Sequence, residues 1–206
     1  MGKGLYCLLA LAIAVGSVAC LGRTEIRGVE TTGLDRKLST FAFIEEGDIV
    51  SFIVSTRATR NREESAFIPL EICVANRGLK TLTLTRESFI LFDEQGNRYH
   101  STSPRELREG YNFLDQDRGL GDLPEIVFNR FAVFNRYPSS FSPTRMRGRR
   151  SGSGTIRDRV SLPRFGFMID FIYFPMPTTG LLDHKFELHL EAEELPHTIF
   201  VKFMVL

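Results

Sequence analysis

At 206 residues, with 43% apolar and 25% charged side chains, the chain holds enough hydrophobic mass for one domain with its own core. A formal net charge of +1 excludes the overall balance of a general nucleic-acid binder or an acidic-tail protein. Eighteen Phe and no Trp predict a Phe-rich interior, while nine Pro and seventeen Gly supply turns without reaching low-complexity levels.

The N-terminus reads as an export signal. Lys3 is the sole charge before an apolar run from Leu5 to Val15, and the small residues Gly16, Ser17 and Ala19 follow. That run is too short to span a bilayer as a permanent helix, and it has neither a polar face nor a capping residue before it. Residues 1–19 are therefore expected to be a signal peptide, cleaved between Ala19 and Cys20. "SVAC" resembles the bacterial lipobox, whose cysteine carries the lipid, and this makes Cys20 the expected lipidation site. Ser17 stands where Leu is usual, so a plain secretory signal cut at the same bond stays open. Two or three acyl chains would anchor stably, since each buried methylene contributes about 0.8 kcal/mol. Leu21 in place of Asp implies the periplasmic side of the outer membrane in a Gram-negative host.

With Cys7 lost in the signal and Cys20 acylated, Cys73 is left alone, so packing and not a disulfide must hold the domain. Cys73 lies in a strand pattern and reads as a small semi-buried hydrophobe. Residues 20–37 are polar and glycine-containing after the cysteine, which suits a tether reaching roughly 20–25 Å; a strand at "TEIRGVE" is the competing reading.

Residues 38–206 read as a single β-rich domain. "LSTFAFI" (38–44) and "DIVSFIVS" (48–55) flank "EEG" as a hairpin. "AFIPLEICVA" (66–75) alternates with period two, predicting one buried face. "LKTLTLT" follows the turn "NRG", and "SFILFD" and "NRYHS" flank "EQG" as a second hairpin. "SPREL" predicts one helix, with Ser103 as N-cap, Pro104 first in the helix and Glu106 closing a capping box. "KFELHLEA" and "HTIFVKFMVL" make the closing strands, with Phe186, Leu188, Leu190 and Ala192 on one face. The expected fold is all-β, an antiparallel two-sheet sandwich with one short helical insertion.

"FIPLEICVANRGLKTLTLTRESFILFDEQGNRY" resembles the immunoglobulin-like domains of uncharacterised bacterial lipoproteins. The resemblance rests on Val74, Asn76 and Gly78, then Phe89, Leu91, Asp93, Gly96 and Tyr99, together with the closing hairpin. It covers about a third of the chain and finds no counterpart for 103–164. It implies an immunoglobulin-like sandwich in the cell envelope and transfers no functional residue.

No catalytic residue and no cofactor is assigned. "RRSGSG" lacks the strand and helix of a nucleophile elbow, and no P-loop, H-E-x-x-H or C-x-x-C occurs. No metal site is assigned either; the nearest arrangement is Glu187, His189 and Glu191 on one strand face, which reads more simply as solvated. Charge is uneven, however. Between Arg130 and Arg164 nine arginines face one acid, Asp158, giving +8, while residues 165–206 carry two lysines and six acids, giving −4. The Gly/Ser-rich centre of that cluster reads as a mobile loop. Arg145, Arg147, Arg149, Arg150, Arg157 and Arg159 are its candidates for contact with anionic lipid or an acidic envelope protein. Nucleic acid is not an expected partner, given the export signal and the lack of aromatics interleaved in the loop. "RFGFMIDFIYFPMP" predicts a strand buried on both faces, with Asp170 paired to an arginine of the preceding cluster.

These features lead to the expectation of a non-catalytic, lipid-anchored binding or structural module of the bacterial envelope. Its rivals are a soluble exported sandwich that binds an anionic ligand through the arginine loop, and an envelope hydrolase with an unrecognised site.

Overall fold

Strands form where β-branched and aromatic residues alternate, and the alternation decides which sheet face each residue lines. The computed structural model describes residues 38–143 and 156–205, all belonging to one unit of residues 32–206. In chain order the strands are β1 (Ala42–Glu46), β2 (Val50–Ser55), β3 (Phe67–Asn76), β4 (Thr81–Thr85), β5 (Phe89–Asp93) and β6 (Arg98–His100). Three short helices follow: α1 (Pro104–Gly110), α2 (Leu114–Leu120) and α3 (Leu123–Val127). Then come β7 (Asn135–Arg136), β8 (Arg159–Pro163), β9 (Gly166–Pro175), β10 (Lys185–Leu190) and β11 (Ile199–Met204).

The strands make three sheets, ordered β1-β2-β3-β9-β7, β11-β10-β5-β6 and β4-β8. The named ladders are antiparallel except the two-residue β7, which runs parallel to β9. One apolar core draws on all three: Phe52, Ile68, Ile72 and Met168 come from the first, Phe89, Leu188 and Phe203 from the second, and Leu82 and Leu162 from the third. Each buried Phe or Leu there contributes about 1.5–3 kcal/mol of transfer free energy. The protein is thus mostly β, built of several sheets with a few short helices, an arrangement consistent with a sandwich.

Two turns are set by side chains that the sequence pattern singles out. Asn76 is fully buried, donates to the carbonyls of Leu79 and Leu162 at 3.0 and 2.9 Å, and accepts from the Leu79 amide. It thereby ties the β3–β4 turn to β8. In the β5–β6 hairpin, Asp93 accepts from the amides of Gln95 and Asn97, the Asn97 side chain and the Tyr99 hydroxyl. Gly96 takes the left-handed φ of +83° that this turn requires. Burial works to raise the Asp93 carboxyl, but the bonds from Asn97, Tyr99 and Gln95 outweigh it and hold it below its ordinary range.

Three expectations change. The strands fall into three sheets where two were expected, since β4 and β8 pair with each other apart from the two larger sheets. β3 is buried on both faces, because α3 and the turn after it cover Cys73 and Ala75 while α1 and α2 pack on Phe67, Phe171 and Tyr173. Three helices occupy 104–127 where one was expected. The first has the predicted capping box, with Ser103 Oγ accepting from the Glu106 amide and Glu106 accepting from the Ser103 amide.

Cys73 sits fully buried in that covered face. Burial, followed by the charge of Glu71, pushes its thiol well above the ordinary range, so little thiolate forms. In a Cys7→Ser/Cys20→Ser chain, Cys73 is expected to resist iodoacetamide until denaturant is added, read by mass spectrometry. Rapid labelling under native conditions would contradict this burial.

Candidate functional site

The covered face of the first sheet carries the charges that position its helices. Arg62 donates through Nε to Asp117 at 2.8 Å, and its Nη2 lies 2.7 Å from the same oxygen. Tyr111 donates its hydroxyl to the other Asp117 oxygen at 2.6 Å. Glu71 reaches from β3 to accept the amides of Asp122 and Leu123 at 2.8 and 3.0 Å, so it caps α3 from outside the helix. Asp170 accepts the amides of Phe141 and Phe171, both at 2.8 Å, and lies 3.9 Å from Arg118. Among the described residues, the arginine nearest Asp170 is therefore the one on α2, not one from 130–164 as the sequence suggested. The reason is geometric: the chain after α3 runs beside β9 and offers the Phe141 amide, β9 itself supplies the Phe171 amide, and α2 brings in the cation.

Burial pushes the carboxyls of Glu71, Asp117 and Asp170 above their ordinary range, against the pull of these donors. A carboxyl raised in the fold favours its protonated form. Its contribution to stability is full below the ordinary carboxylate pKa and is lost as the pH rises through the folded value. These groups are structural, since each oxygen that accepts a bond is turned inward to an amide, hydroxyl or guanidinium of the fold.

Beside α3, a cleft of about 410 Å³ is lined by Ser39, Phe41, Arg57, Arg60, Asn61 and Asp122 among others. Ser55 donates to Asp122 at 2.6 Å, Arg57 lies 3.9 Å from the same carboxylate, and Arg60 stacks 4.9 Å above the Phe41 ring. Ser39 is engaged as an acceptor for the amides of Phe41 and Ala42. The cleft offers guanidinium and amide donors to a ligand.

A second surface is apolar. Phe128 and Val133 are 76% and 83% exposed on the turn that leaves α3, and Phe165, between β8 and β9, is 45% exposed. Phe134 meets Phe165 edge-on at 5.4 Å, and Phe131 links Phe134 to Phe167 at 5.1 and 5.5 Å. Arginines edge this cluster. Arg164 lies 5.0 Å over Phe165, and Arg130 and Arg77 share Glu46 at 2.7 and 2.8 Å. In the sequence the arginines between 130 and 164 stand out, and the aromatics beside them do not. The signal was present in "FNRFAVFNRY", where Phe and Arg recur together without an acid. Aromatics absent from the Gly/Ser loop are thus interleaved with arginine just before it.

Of the remaining sequence candidates, the structure brings together Glu187 and His189 alone among the described residues. Ala19 and Cys20 lie outside the described residues, as do Arg145, Arg147, Arg149 and Arg150. Arg157 is exposed beside an isolated bridge to Ser140, and Arg159 is exposed at the start of β8. Glu187 and His189 contact one another at 3.1 Å, while Lys202 occupies the other Glu187 oxygen at 3.3 Å. His189 lies against the rings of Phe92 and Phe200, at 4.4 and 5.3 Å, and Glu191 lies beyond the end of β10. The His189 bond, with Lys202 assisting, holds the Glu187 carboxyl below its ordinary range. Among the described residues no three His, Cys, Asp or Glu side chains converge as a metal site would require. Among them, too, no helix is long and apolar enough to cross a membrane.

Comparison with known proteins gives no relative from which a role could be transferred: no family model, curated protein or solved structure matches the chain.

Proposed function

We propose that this chain is a non-catalytic, lipid-anchored binding or structural module of the bacterial cell envelope, built on an immunoglobulin-like β-sandwich. The observation that carries the reading is the N-terminal pattern, in which Lys3, the apolar run and "SVAC" lead to Cys20. The antiparallel sheets facing one core support the sandwich, and the turn roles of Asn76 and Asp93 agree with the residues on which the family resemblance rests. The surface features support binding over chemistry, since the cleft and the Phe-rich face present guanidinium groups and rings to the outside.

The decisive experiment is labelled palmitate fed to a bacterial host that expresses the full chain. Label is expected on the natural chain and absent from Cys20→Ser. Label that persists in the variant, or never appears, would overturn the anchor.

A further inference from the structure

We propose that the surface bearing Phe128, Val133, Phe134 and Phe165, edged by Arg77, Arg130, Arg136 and Arg164, is a docking face for an anionic lipid bilayer. Three observations converge on it. The first is exposure: two of the most exposed large hydrophobic residues of the described chain, Phe128 and Val133, occupy one turn, and Phe134 of that same turn meets the half-exposed Phe165 ring. A face that leaves phenyl rings in water is an interaction site by ordinary standards of soluble surfaces.

The second is charge. Residues 128–137 hold two arginines and no acid, and Arg77 and Arg164 come alongside from β3–β4 and β8–β9. Glu46 is bound to this edge and is shared by Arg77 and Arg130. Rings that enter the acyl boundary with guanidinium groups at the headgroup level are how interfacial proteins hold anionic membranes. Two arginines share the Glu46 carboxylate, so the edge keeps an excess of positive charge that a neutral apolar partner would leave unused.

The third is backbone strain. Phe165 has φ +60°, a left-handed conformation that a bulky aromatic rarely adopts. Gly166, next to it, does not take that role. A Cβ there would lie 2.9 Å from the Pro163 carbonyl oxygen and 3.0 Å from the Tyr137 ring, so glycine is required for close approach. The fold therefore keeps a strained phenylalanine at a turn where glycine would fit better, and displays its ring. Strain of this kind concentrates where a side chain is held out for contact.

The inference deepens the anchored reading by naming which face meets the membrane, and the two fail separately, because acylation of Cys20 is measured without reference to this surface. The natural chain has no tryptophan, so a single introduced one reports on its own position. Full-length chains carrying Phe128→Trp, Phe165→Trp or the remote Phe113→Trp are mixed with vesicles of phosphatidylglycerol and phosphatidylcholine, part of them brominated on the acyl chains. The indole at 128 and at 165 is expected to shift to the blue and be quenched by the brominated lipid, whereas the one at 113 stays unchanged. In pure phosphatidylcholine the quenching falls by about tenfold or more, as the loss of the arginine contribution requires. Phe165→Gly removes the ring and relieves the turn. It is expected to melt at or above the temperature of the natural chain and to bind the anionic vesicles about tenfold more weakly. Absence of quenching at 128 and 165 in vesicle-bound chains overturns the proposal. A blue shift that grows with protein concentration in the absence of lipid does so too, and assigns the face to a second copy of the chain.

Discussion

Arg62→Ala is expected to destabilise the fold by about 3–5 kcal/mol, because it strands a buried carboxylate. Arg62 and Asp117 are both almost wholly enclosed, and Asp117 receives Arg62 and the Tyr111 hydroxyl together. Arg62 also spreads over the Phe113 ring at 4.4 Å, so the variant loses packing as well as charge. The measurement is urea denaturation followed by far-UV circular dichroism. Against a typical domain stability of about 5–15 kcal/mol, the variant should be marginal at room temperature. Its deficit should grow with pH: without the cation the Asp117 carboxyl rises further, and ionising it inside the fold becomes costlier. Arg62→Met/Asp117→Leu is the control. Removing both charges together should recover most of the loss, since the penalty comes from the unpaired partner and not from the absent bond. A single variant that loses less than about 1 kcal/mol would mean that Asp117 reaches solvent.

Much of this architecture is legible from residue order, because strands with a period of two and turns with dedicated side chains are local decisions. The hairpins at "EEG" and "EQG", the alternation of "KFELHLEA" and the capping box at Ser103 appear where the pattern places them. What the sequence did not yield depends on distance along the chain. Nothing near "PLEICV" announces that Glu71 will cap a helix starting some fifty residues later, or that α3 will close the second face of β3. Asp170 was legible as a carboxylate in need of partners; the adjacent Phe171 amide is a local one, but the Phe141 amide and the arginine from α2 come from far along the chain and no sequence proximity announces them. The Phe-rich surface was hidden differently. In a chain with eighteen Phe, any single ring is expected inside, and exposure of Phe128 and Phe165 is decided by turns whose course no local pattern shows.

Glu71→Ala carries the other large expected effect, a loss of about 2–4 kcal/mol in the same denaturation experiment. The carboxylate is the acceptor for two buried amides at the start of α3, and that helix has no side-chain cap of its own at Asp122. Alanine leaves both donors without a partner and opens space beneath Gly121, where the Glu71 carboxylate now sits so close that a Cβ would lie 2.6 Å from it. Gly121→Ala is therefore expected to destabilise in the same direction, by pushing the carboxylate off its amides. Glu71→Gln separates acceptor from charge. Its oxygen can still accept both amides, so the loss should be smaller than for alanine. Because burial raises the natural carboxyl, the protonated form is the one the fold favours, and its advantage declines as the group ionises. The gap between the natural chain and Glu71→Gln should accordingly narrow as the pH climbs from about 4, the ordinary carboxylate range, through the folded value. A gap that widens instead would show that the amides and the α3 terminus hold Glu71 ionised, and that burial is the lesser force at this cap.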